Sequence, residues 1–75
     1  MLMFVLIPKK SEKYKDVHAL IERPGEGIIG EVYWYDPETL DGRKELLFFS
    51  DGACWSLEDL QKVTECMKTV LDRMK

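Results

Sequence analysis

The chain begins with an unbroken apolar run, Leu2-Met-Phe-Val-Leu-Ile7, closed by Pro8. Its length and its strand-forming residues predict a strand rather than a helix. It is apolar at both parities, so both faces of that strand are expected to be covered. The next stretch, Lys9-Lys-Ser-Glu-Lys-Tyr-Lys15, is polar and basic and reads as a solvated loop or a lysine-protected strand end. In residues 16–23 (DVHALIER), Val17, Ala19 and Ile21 alternate as a strand would place them. Two helical turns would also hold them, but Pro24-Gly-Glu-Gly27 turns directly into a clear strand and favours the extended form.

That clear strand is Ile28-Ile-Gly-Glu-Val-Tyr-Trp-Tyr35, β-branched and aromatic. Alternation puts Ile28, Gly30, Val32 and Trp34 on one face and Ile29, Glu31, Tyr33 and Tyr35 on the other. Residues 36–42 form a turn in which Pro37 breaks the ladder and Gly42 is free to take positive φ. Residues 43–49 make the next strand, with Leu46 and Phe48 pointing one way and Leu47 and Phe49 the other. Asp51-Gly52 signals a hairpin and predicts a short return strand at 53–55.

From Ser56 onward the period changes to that of a helix. Ser56 suits an N-cap, and Asp59 at the third helical position gives a weaker capping box. Leu60, Val63, Met67, Val70, Leu71 and Met74 fall within one broad arc, with Leu57 and Cys66 at its edges. The predicted architecture is therefore α+β, with residues 1–75 forming one small domain. It is an antiparallel meander of four or five strands packed by one C-terminal amphipathic helix.

One helix about 10 Å wide covers roughly two strands spaced about 4.8 Å apart. It cannot cover both faces of such a sheet, so a face bearing some of Tyr33, Trp34, Tyr35, Phe48 and Phe49 is expected to meet something else. A second copy, another protein or the bases of a nucleic acid would serve.

Composition narrows the classes. At 75 residues and 45% apolar the chain is neither disordered nor large enough for two domains. No apolar run approaches the roughly 20 residues of a membrane span. The opening run is too short for a signal-peptide core, and its lysines follow it rather than precede it. Two cysteines, Cys54 and Cys66, are too few for a secreted disulfide scaffold, and with a single histidine they offer no zinc ligand set. These features point to a cytoplasmic protein without membrane, metal or cofactor.

The net charge of −3 is unevenly spread. Residues 24–59 set Arg43 and Lys44 against nine carboxylates, for −7, while the segments on either side each sum to +2. No nucleophile–base pair, phosphate loop or dinucleotide fingerprint appears. Cys54 precedes the helix cap, but Asp51, Glu58 and Asp59 oppose a thiolate there, so no enzyme is expected.

Two functions fit. The first is a non-enzymatic module for single-stranded nucleic acid. Bases would stack on Tyr33, Trp34 and Tyr35, and phosphates would meet Lys9, Lys10, Arg43 and Lys44. The second is a small acidic regulator or inhibitor of the mobile-element or phage type. Its acidic middle would face a basic surface on a host protein, with the aromatics as anchors.

The strand order, with Met3-Phe4, Tyr33-Trp34, Asp36-Pro37-Glu38, Gly42-Arg43-Lys44 and the closing helix, resembles the transcriptional positive cofactor four family of single-stranded-DNA-binding proteins. The resemblance covers about 45 residues. It implies a homodimer joined through the helix (Leu60, Val63, Met67, Val70, Met74), a stacking role for Trp34 and a basic turn at Arg43 and Lys44. In that family the strand after Gly-Arg-Lys runs almost directly into the helix, whereas here Ser50 to Trp55 intervenes.

Overall fold

The computed structural model describes residues 1–37 and 44–74; most of the turn expected over 36–42, Gly42 included, and Arg43 at the expected start of the next strand lie outside the described residues. Four strands form one antiparallel meander in sequence order: β1 (Met3–Glu12), β2 (Lys15–Arg23), β3 (Gly27–Tyr35) and β4 (Glu45–Ser50). Helix α1 (Leu57–Met74) lies across one face.

The local chemistry explains most boundaries. Between β2 and β3, Glu26 donates its backbone N–H to the Arg23 carbonyl at 2.9 Å, with Pro24 second in the turn and Gly25 third at φ +86°. Only glycine accepts that third position without strain, as in a type II turn. The helix start is a complete capping box. The Asp59 N–H donates to Ser56 Oγ at 3.0 Å, and the Ser56 N–H donates to Asp59 Oδ2 at 3.1 Å.

Cross-strand register sorts the side chains, because residues opposite one another share a face. Toward the helix lie the rows Phe4–Ile21–Gly30–Ser50, Leu6–Ala19–Val32–Phe48 and Ser11–Asp16–Trp34–Leu46. The core forms where the first two rows and Ile29 meet Val63, Cys66 and Val70 of α1, closed by Leu2. Burying Val63 and Val70 contributes about 1.5–3 kcal/mol each.

Several expectations are corrected. Pro8 does not end the first strand. β1 continues to Glu12, with an irregularity between Leu6 and Lys10 that places Pro8 on a sheet edge, where its missing N–H costs no ladder bond. The opening run is not covered on both faces, since Met3, Val5 and Leu6 stay exposed. Residues 53–55 form no strand. The chain instead leaves β4 through Gly52 at φ +71° and lays Trp55 edge-on against Phe48, ring centroids 4.9 Å apart.

Ile28 and Ile29 also exchange faces relative to simple alternation. Ile21 pairs with Gly30 and Glu22 with Ile28, leaving Ile29 as the extra residue of a bulge. Ile29 therefore turns into the core while Ile28 is exposed. On the helix, the buried stripe is Val63, Cys66 and Val70, with Met67 half-buried; Leu57, Leu60, Leu71 and Met74 remain exposed.

Candidate docking face

The sheet face turned away from α1 is assembled from alternate residues of all four strands. Its rows are Met3–Glu22–Ile28, Val5–Leu20–Glu31–Phe49, Lys10–Val17–Tyr33–Leu47 and Glu12–Lys15–Tyr35–Glu45. No described element covers it. Phe49 is 49% exposed and Ile28 57%, while Met3, Val5 and Tyr35 are also exposed. Val17, opposite Tyr33 in the third row, is buried at 2%, so the middle of the face is packed and its margins are open. Beside Phe49 a shallow hollow of about 130 Å3 opens between Ile28, Gly30, Glu31 and Asp51.

The charges on this face are acidic on balance. Four glutamates (12, 22, 31 and 45) stand against Lys10 and Lys15, a sum of −2. Both lysines are engaged within the face. Lys15 reaches across the Tyr33 ring, 5.1 Å from its centroid, to Glu31 Oε1 at 2.5 Å and to Glu12 Oε2 at 3.5 Å. Lys10 meets Glu12 at 3.8 Å. The hydrogen bond to Glu31 is the largest influence and raises the Lys15 pKa above its ordinary value; burial opposes it, and the charges of Glu31 and Glu12 add to the rise.

The candidate residues from the sequence separate. Tyr33 and Tyr35 lie on the open face, and Tyr33 sits beneath Lys15. Trp34 is half-buried on the opposite side of the sheet, in a row with Leu46 and Asp16. Three consecutive strand residues cannot share a face. Lys9 and Lys10 are exposed on the β1 edge, and Lys44 is exposed beside Asp36 at 3.8 Å. Of the helix residues, Val63 and Val70 are filled by their own sheet, Met67 partly so, and Leu60 and Met74 remain exposed.

Val5, Leu20, Leu47 and Ile28 belong to the face but carry no motif. Only the pairing register brings them together.

A second grouping lies at one end of the sheet. The Asp36 N–H donates to the Tyr14 carbonyl at 2.9 Å, which ties the β1–β2 turn to the end of β3. Tyr14 and Tyr35 are both exposed there, with Lys13 over the Tyr14 ring at 5.1 Å and Lys44 nearby on Asp36. Tyr14 adopts φ +67°, a left-handed conformation uncommon for a residue with a side chain.

Among the described residues no group of three His, Cys, Asp or Glu side chains is placed to hold a metal ion. Nor is any helix among the described residues long and apolar enough to cross a membrane. No protein-family model, curated protein or solved structure matches this chain.

Proposed function

We propose that the protein is a non-enzymatic docking module that binds another protein through the open sheet face. The observation that carries this reading is the composition of that face, apolar and aromatic, acidic on balance, with its lysines already paired to glutamates. Phe49 and Tyr35 are the anchors, and the glutamates set the partner's complement: an apolar patch bordered by lysine or arginine. A small acidic regulator would act in this way, by occupying a surface rather than by chemistry.

The test compares binding to partners from cell extract of the unaltered chain, of Phe49→Lys and Tyr35→Lys, and of Leu71→Lys on the helix. Loss of the same partner with both face variants, and its retention with Leu71→Lys, supports the reading. A partner indifferent to both face variants sinks it.

The tyrosine-bearing end of the sheet, where Lys13 and Lys44 stand beside Tyr14 and Tyr35, favours a second reading, the single-stranded nucleic-acid module. Tyr14 and Tyr35 would stack bases, and Lys9, Lys10, Lys13 and Lys44, with Arg43, would meet phosphates. Titration of a fluorophore-labelled short oligo-dT with the chain, followed by anisotropy at two salt concentrations, separates the two. A signal that weakens as salt rises belongs to nucleic acid.

A further inference from the structure

The edge strand β1 meets solvent differently along its two halves. Its second half carries Pro8, Lys9 and Lys10, residue types that keep a free strand edge from pairing. Residues 3–7 carry none of these, and among the described residues no other strand lies beyond them. Met3 and Val5 lie on the open face and Leu6 on the helix side, yet all three are more than two-fifths exposed. A partner seated on the open face covers Met3 and Val5 and leaves Leu6 in water.

On the helix side, a groove of about 470 Å3 runs between this same edge and α1. Leu2, Phe4, Leu6 and Cys66 line it, with Lys62 and Glu65 from the helix. A strand added to β1 would satisfy the outward backbone groups, cover Met3 and Val5 on one side, and place its own alternate side chains in the groove on the other. One event then accounts for exposure on both sides of the edge.

We propose that the added strand is β1 of a second copy, paired antiparallel about a two-fold axis near Val5. The two four-stranded sheets thereby join into one. That register sets Phe4 opposite Leu6 of the other copy and Met3 opposite Ile7, so apolar residues face one another along the whole stretch. No like charges face each other there. The charges lining the groove, Lys62 and Glu65, offset one another, so the net −3 of each chain does not concentrate at the contact. A patch that complements itself under a two-fold is what a closed dimer requires. The proposal does not depend on what docks on the open face.

Sedimentation equilibrium of the full chain, from micromolar to millimolar, should show the mass rising from 8.8 kDa toward twice that value. Leu6→Lys places a charge at the groove and should weaken the dimer about tenfold or more. Phe49→Lys, on the opposite edge strand, should change it by less than about twofold. Hydrogen exchange on the unsubstituted chain avoids reliance on variants that fail to fold: amides of residues 3–7 should gain protection with concentration while those of β4 do not. A chain that stays at 8.8 kDa throughout, or a dimer whose added protection falls on β4 or α1, overturns the proposal.

Discussion

Gly30 has no side chain because three groups already occupy the place where one would begin. A Cβ there would lie 2.6 Å from the Phe49 carbonyl oxygen, 3.2 Å from Phe48 and 3.4 Å from Trp55. The first contact is backbone and cannot swing aside, so Gly30→Ala should cost about 1–3 kcal/mol, read as a lower urea midpoint. His18 gives a pH-dependent counterpart. Burial lowers its pKa, with Arg73 and Lys9 adding to the effect and Asp16 opposing it. The unfolded chain therefore takes up a proton near the ordinary 6.5 while the folded chain resists until lower pH. Stability is complete above the unfolded value and falls as the solution is acidified through it. His18→Gln should flatten the stability profile between about pH 7 and pH 5. An unchanged slope would place the titration elsewhere. Asp59 runs the same way at lower pH: the Ser56 backbone N–H holds its carboxyl below the usual range, so that contribution is lost only as pH falls through the lowered value.

For the elements, the helix shows how a correct period can still be turned on its axis. Ser56 and Asp59 were enough to place its start, because a capping box is local chemistry that no tertiary contact has to supply. The arc of Leu60, Val63, Met67, Val70, Leu71 and Met74 was visible in the sequence, but what is buried is Val63 and Val70 from the arc together with Cys66 from its edge. Leu60 and Leu71 flank the stripe, and nothing in the helix alone distinguishes a flank from a centre. Thermal unfolding should reflect this. Val70→Ala should cost about 2 kcal/mol, whereas Leu71→Ala should stay within about 0.5 kcal/mol despite removing the larger side chain. Ser56→Ala should cost about 1 kcal/mol by releasing the cap. The strands were legible by composition; their bulges were not. A single extra residue at Ile29 turns it inward and leaves Ile28 exposed, and no local propensity marks which of two adjacent isoleucines will be the extra one.

At the level of the whole molecule, one helix against four strands leaves a surface that other elements would normally cover. Lysines placed on that surface should leave folding intact while removing docking. Phe49→Lys and Tyr35→Lys should unfold within about 1 kcal/mol of the unaltered chain in urea, because both side chains are only partly buried. A large loss would mean that the rings hold the sheet together rather than await a partner. The net charge of −3 is less informative than its placement. Glutamates on the open face neutralise its lysines, while Lys13 and Lys44 cluster with the exposed tyrosines at one end. That division is the physical basis for weighing a protein partner on the face against a nucleic acid at the end.

Sequence alone determined the order of elements, the antiparallel meander, the helix cap and the excess of apolar sheet over helix. All of these follow from neighbours a few residues apart: alternation, turn chemistry and the limited width of a helix. Alternation already set Trp34 on the face opposite Tyr33 and Tyr35, which counts against the expectation that bases stack on all three together. Tertiary structure decided which of them look outward, that Trp34 turns to the helix side, that Lys15 is taken up by Glu31, and that Leu6 is left at an open edge beside a groove. These depend on register and bulges, which fix contacts between residues far apart in the chain and leave no mark within any one segment.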